Sequence, residues 1–234
     1  MKKTILVIAA HPDDEVLGCG GTIAAHSQAG DKVHVVIMAE GMTSRLPKRN
    51  RSTFAKELKS LGQAARSANK ILGAASVTLL DFPDNRMDSM DRLDITKAIE
   101  DLVNQHQPSM IYTHHVGDVN IDHRCIHDAV ITACRPLPGQ CVETILFWET
   151  SSSTEYQPPH SAAPFLPNWW NNISATLDLK IKALRAYHVE MRPWPHARSL
   201  EAVEHLAKWR GASIGVPAAE AFMLGRQINR GENI

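Results

Sequence analysis

The chain has 234 residues, 44% of them apolar, with 25 Lys and Arg against 25 Asp and Glu. That length buries one sizeable core, and balanced charge without a like-charge run argues against a basic face for nucleic acid. No stretch approaches the roughly 18 consecutive apolar residues of a membrane span.

Met1-Lys2-Lys3 followed by the apolar Thr4–Ala10 begins as a secretory signal would. The run stops at His11-Pro12-Asp13-Asp14-Glu15, too early for an h-region and without small residues at a cleavage site. A buried first strand over Ile5–Ala9 explains it better, and the chain reads as cytoplasmic. Four cysteines (Cys19, Cys125, Cys134 and Cys141) form no Cys-x-x-Cys pair and are expected as free thiols.

Further strands are predicted at Val33–Met38, Val77–Leu80, Met110–Thr113 and Thr144–Phe147, each compact, apolar and flanked by turn residues. Helices are predicted between them at Val16–Gln28, Thr53–Leu72, Asp91–Gln105 and His123–Cys134, with Gly30 and Gly73 where C-terminal glycines belong. This alternation predicts an α/β fold, a Rossmann-like three-layer sandwich with a mostly parallel central sheet. Such sheets bind ligands beyond the carboxyl ends of their strands. Thr150–Trp170, rich in Ser, Pro and aromatics, reads as a surface loop or flap that covers a site or meets a second copy in a homo-oligomer. Helices near Ser174–Tyr187 and Ser199–Trp209 complete what is expected to be one domain over residues 1–234.

Chemistry concentrates after the first and fourth strands. His11 and Asp14, three residues apart in a tight turn after a strand, can converge on one ion, and imidazole nitrogen and carboxylate oxygen both suit zinc. First-turn acids would complement a helix dipole, but three in succession after a histidine call for a cation. A zinc site needs a third protein ligand and an open position for water. His123 is one candidate; His114, His115 and His127 are rivals, and spacing alone does not choose among them. Asp122 is placed to orient an adjacent imidazole. Gly18-Cys19-Gly20-Gly21 lacks the third glycine of a dinucleotide fingerprint and follows a run of acids, so close helix–strand packing is its better explanation.

Ala10-His11-Pro12-Asp13-Asp14-Glu15-x-Leu17-Gly18-x-Gly20-Gly21, with the later Asp118-x-Asn120-x-Asp122-His123, resembles the LmbE/PIG-L family of zinc-dependent N-acetyl sugar deacetylases. Glu40-Gly41-Met42-Thr43-Ser44-Arg45, Phe82-Pro83-Asp84-Asn85, Ser151–Glu155, Arg210-Gly211 and Ala219-Glu220-Ala221-Phe222 extend the likeness along nearly the whole chain. The resemblance implies an LmbE-like fold, Zn2+ held by His11, Asp14 and His123, and Asp13 as general base. It also implies a small-molecule N-acetyl amino sugar or sugar conjugate as substrate. The family often carries a histidine three residues before its last ligand, to stabilise the tetrahedral intermediate. Here that position is Asn120, which can donate a hydrogen bond to an oxyanion but cannot supply a proton; His115 and His196 are the alternatives for the acid or oxyanion role, and the sequence does not choose.

Arg45 and Arg86, in loops near the same sheet edge, are candidates for binding a substrate phosphate or carboxylate. Trp148, Trp169, Trp170 and Trp194 are candidate sugar platforms or core residues. Two rivals remain: a zinc amidase for a non-sugar amide or thiol conjugate, and a non-catalytic metal-binding carbohydrate module.

Overall fold

The apolar run before His11 forms a strand buried from Ile5 to Ala9, and the rest of the sheet is built around it. A computed structural model describes residues 2–158 and 160–231. Strands β1 (Thr4–Ala9), β2 (Lys32–Ala39), β3 (Ser76–Phe82), β4 (Met110–His114) and β5 (Thr144–Trp148) are parallel, in the spatial order β3-β2-β1-β4-β5. Helices α1 (Asp14–Gln28), α2 (Ala55–Leu72), α3 (Arg92–His106), α4 (Ile121–Ala133), α5 (Leu177–Ala186) and α6 (Leu200–Ala212) cover both faces. The alternation along β1 sets the two cores. Ile5, Val7 and Ala9 pack with α1, α2 and α5, whereas Leu6 and Ile8 pack with α3 and α4. The five residues Ile5–Ala9 of β1 are apolar and fully buried because water reaches neither face of the strand there. This is the expected three-layer arrangement.

Two strands were not anticipated. Ala219–Gln227 forms β7, antiparallel to β5, and Trp169–Asn172 forms β6, antiparallel to β7, completing a sheet of seven strands. The end of the presumed Thr150–Trp170 loop is therefore the start of an edge strand. Trp169 pairs with Phe222 and Trp170 with Ala221, so these tryptophans serve the sheet.

Helix α1 is two helical pieces joined at Cys19, whose φ of −145° and ψ of 25° are not helical. The break frees backbone donors, and Glu220 of β7 accepts from Gly21 N at 2.9 Å and Thr22 N at 2.7 Å. Lys180 of α5 neutralises that carboxylate at 2.6 Å and also donates to the Leu17 carbonyl. The glycines around the break bring helix and sheet together as expected: a Cβ on Gly18 would lie 2.3 Å from the Trp148 ring. Gly73 ends α2 with a φ of +80°, and Gly30 follows α1 with a φ of +86°, conformations that cost glycine little.

Candidate metal centre and active site

The strand order reverses between β1 and β4, which opens a crevice beyond their carboxyl ends. The turn after β1 and the start of α4 meet there. His11 Nδ1 lies 3.2 Å from Asp14 Oδ2, and His123 Nε2 lies 3.1 Å from the same oxygen. His123 arrives because α4 starts at Ile121, two residues before its expected start, capped by Asn120 Oδ1 accepting from Asp122 N at 2.9 Å. His123 is thus in the first turn of α4, facing the crevice floor.

The three successive acids diverge. Asp14 turns to the histidines. Glu15 turns into the core, where Asn69 Nδ2 and the Tyr187 hydroxyl each donate to it at 2.7 Å. Burial lifts the Glu15 carboxyl to about 7, against the opposing pull of those two donors. Asp13 sits at a φ of 110° with a buried side chain, and Arg198 Nη1 donates to its Oδ2 at 3.1 Å. Burial drives the Asp13 carboxyl well above its usual range, with Arg198 resisting. Burial would do the same to Asp14, but His123 and His11 outweigh it and hold that carboxyl well below its usual range.

Both histidines are held from behind by carboxylates. His11 Nε2 is 3.0 Å from Asp122 Oδ2, so Asp122 orients His11 and not its sequence neighbour His123. Asp122 is itself fixed by the backbone donors of Asn85 and Met87 at 2.6 and 3.0 Å. Asp118, which no local pattern marks for this role, does this for His123: its Oδ2 lies 3.1 Å from His123 Nδ1. Thr154 Oγ1 donates to Asp118 Oδ2 at 2.7 Å, and Ser153 Oγ donates to Oδ1. Burial opposes ionising Asp118, but His123 prevails and its carboxyl falls to about 2. Burial likewise opposes charging His123, and Asp14 and Asp118 overcome it, raising the imidazole to about 9.

The arrangement fits a divalent cation. Asp13 Oδ1 and Asp14 Oδ1 are buried with no hydrogen-bond partner among the described residues, next to two imidazole nitrogens. Buried oxygens without donors need an explanation, and an imidazole–carboxylate donor set backed by further carboxylates is what zinc takes. His11, Asp84 and Asp122 also lie close enough to share an ion. There the carboxylates already accept from Ser44 N, Asn85 and Met87 N, so protein donors satisfy them.

The rival histidines have other partners. His114 stacks on His123 with ring centroids 3.8 Å apart, and its Nε2 accepts from Ala10 N at 2.8 Å. His127 Nδ1 donates to the His114 carbonyl at 2.9 Å, and His115 Nε2 meets the Ala163 carbonyl at 2.9 Å. A cavity of about 130 Å³ opens beside His11, lined by His11, Asp13, Ser44, Arg45, Asn85, Asn120, Glu190 and Arg198 among others. Arg45 is at that cavity, 3.5 Å from Glu190. Arg86 does not line it: Nη2 donates to the carbonyls of Leu46 and Pro47 at 2.9 and 3.1 Å, bracing the loop that carries Arg45. Asn120 lines it, but its amide already donates to Asn85 Oδ1 at 2.9 Å. His196, Trp148, Trp169, Trp170 and Trp194 do not line it. Trp148 is fully buried and Trp194 is exposed, edge-on to His205.

The profile of the PIG-L family, described as GlcNAc-PI de-N-acetylase, matches residues 6–134, more than half of the chain and all of the metal-donor set. This chain belongs to the PIG-L family. It is 33% identical over 157 residues to the uncharacterized deacetylase YaiS of Escherichia coli K12, covering 65% of this chain and 76% of that protein. It is 28% identical over 196 residues to the probable N-acetyl-alpha-D-glucosaminyl L-malate deacetylase 2 of Bacillus cereus, covering 80% of this chain and 83% of that one. The crystal structure of GalB, the 4-carboxy-2-hydroxymuconate hydratase of Pseudomonas putida KT2440, superimposes with a TM-score of 0.77 at 24% identity, covering all of both chains. PIG-L relatives thus include named deacetylases, and the fold is shared with a hydratase. Among the described residues no helix is long and apolar enough to cross a membrane.

Proposed function

We propose that this PIG-L protein is a zinc-dependent deacetylase that hydrolyses the acetamide of an N-acetyl amino sugar or sugar conjugate, working as one domain. The observation that carries the reading is the convergence of His11, Asp14 and His123 beside a buried Asp13 with an unpartnered oxygen. A zinc ion on those three side chains would supply Lewis acidity, polarising the acetamide carbonyl and making a water easier to deprotonate. The protein's own groups do the rest. Asp122 and Asp118 hold the two imidazoles in orientation from their far nitrogens. Asp13 takes the proton of the attacking water and returns it to the departing nitrogen. Asn120 has an amide hydrogen beyond the one given to Asn85, available to a substrate oxygen.

The lining favours a sugar over a simple amide. Ser44, Asn85, Asn120 and Glu190 offer the mixed donors and acceptors that ring hydroxyls need, and Arg45 at the cavity suits an anionic substituent. The test joins metal content to acetate release from N-acetylglucosamine, its nucleotide- and lipid-linked derivatives and simple acetamides. One zinc per chain, with acetate release lost on chelation and restored by zinc, is the expected result. Zinc with release only from non-sugar amides would move the reading to an amidase. Zinc with no release from any acetamide would count against catalysis of this bond.

A further inference from the structure

Amide hydrolysis puts negative charge on the carbonyl oxygen, and this cavity has few groups to meet it. Of its lining residues only Arg45 and Arg198 are permanent cations. Arg45 is half exposed and paired with Glu190. His115 is bound to the Ala163 carbonyl, His196 Nδ1 accepts from Arg198 N at 3.0 Å, and neither lines the cavity. Arg198 is the cation next to Asp13, three-quarters buried.

Its position is built from three parts of the chain. Nη1 donates to Asp13 Oδ2 at 3.1 Å and Nε donates to Ser152 Oγ at 2.7 Å. Ser152 is held in turn by Glu155, whose Oε1 accepts from Ser152 N at 2.5 Å. The guanidinium is gripped from two sides, and Nη2 has no hydrogen-bond partner among the described residues.

We propose that Arg198 is a catalytic residue of this protein, orienting Asp13 and carrying the negative charge that forms on the acetamide oxygen. The proposal rests on the deacetylase reading above. Its physical basis is a change of charge partner. Before reaction the Arg198–Asp13 pair is neutral overall. As water attacks, an O–H bond breaks and its proton passes to Asp13. The new C–O bond forms, and the carbonyl π pair moves onto its oxygen. Arg198 thus loses its counter-charge as an oxyanion appears. A mostly buried guanidinium beside a neutral acid is unfavourable, so its attraction for the oxyanion is strongest in the transition state, where it accelerates the reaction. Asp13 then passes the proton to nitrogen, the C–N pair leaves with the nitrogen, and the oxyanion re-forms a carbonyl. Acetic acid and a free amine result, and the original ion pair is restored.

The test uses zinc-loaded full-length protein and the variants Arg198→Met, Arg198→Lys and Ser152→Ala. Two quantities are read: steady-state acetate release, and binding of methylphosphonate, a tetrahedral anion, compared with neutral acetamide. Arg198→Met is expected to keep its zinc and its KM within about threefold while kcat falls roughly 100-fold, the scale of losing one oxyanion donor. Methylphosphonate binding should weaken at least roughly tenfold with acetamide binding unchanged. Arg198→Lys should recover part of both losses, and Ser152→Ala should show a smaller loss of kcat. Arg198→Met with unchanged methylphosphonate affinity overturns the proposal, as does turnover within threefold of the parent. Absence of acetate release from the parent protein would count against the deacetylase reading alone, because the methylphosphonate comparison still decides the role of Arg198.

Discussion

Asp13 and Asp14 are adjacent in the chain and have opposite surroundings. Asp14 faces two imidazoles, whereas Asp13 faces one guanidinium and has a free oxygen in a buried place. The φ of 110° at Asp13 turns the two adjacent carboxylates apart, as the proposed roles of metal ligand and proton carrier require. Asp13→Asn keeps the shape and cannot take a proton, so metal content should stay near one per chain while kcat falls roughly 10²–10⁴-fold. Metal analysis beside an acetate assay checks this, and near-normal turnover would remove Asp13 from the mechanism. Asp118→Ala leaves His123 without the carboxylate that orients it. Zinc affinity, measured by competition with a chelator, is expected to drop about 10–100-fold.

Helix α1 shows how an element serves the site from a distance. Gly18 allows it to lie against β5, and Trp148 on β5 presents its ring edge to His114, centroids 4.7 Å apart. The Trp148 indole donates to Thr150 Oγ1 at 3.1 Å, at the start of the turn whose Ser153 and Thr154 grip Asp118. A methyl at Gly18 would need the Trp148 ring to move, since the gap is 2.3 Å and the ring is fully buried. Gly18→Ala should therefore cost about 1–3 kcal/mol in urea unfolding, the usual range for overpacking. Zinc affinity should fall with it, because Trp148 supports the His114–His123 stack. Unchanged stability would mean that helix and sheet are less tightly apposed than these distances say.

For the molecule as a whole, histidines away from the site set a sensitivity to acid. His34 and His106 stack with centroids 4.1 Å apart, and burial lowers both imidazoles; the nearby His106 charge lowers His34 further. Burial also lowers His26, against the pull of Asp31. A depressed histidine is neutral in the fold and takes up a proton more readily in the unfolded chain. Its stabilising effect is complete above the ordinary histidine value of about 6.5 and is lost as pH falls through it toward the depressed value. Urea midpoints of the zinc-loaded protein should drop between pH 7.5 and 5.5. The His34→Gln, His106→Gln double variant should show a shallower drop, and an equal slope would dismiss the pair as a source.

How far residue order reaches can be read from particular elements. The five parallel strands and six helices were legible because each is short-range, a continuous apolar run or a capped stretch at helical spacing. β7 was not: Ala219-Glu220-Ala221 has low strand propensity, and it pairs because β5 needs a neighbour and Glu220 is bound by α1 and Lys180. His11 and Asp14 could be paired from spacing alone, since a turn of three residues can bring them together. His123 could not be chosen over His114, His115 and His127 without a resemblance, because the choice depends on where α4 starts and which ring nitrogen finds a carboxylate behind it. Arg198 meets Asp13 across 185 positions of chain, and Asp118 meets Thr154 across 36. No local pattern encodes such contacts. The residue types, strands and turn that can hold a metal are properties of the sequence. The carboxylate behind each imidazole and the cation beside Asp13 are properties of the packed molecule, because long-range packing alone brings those charges together.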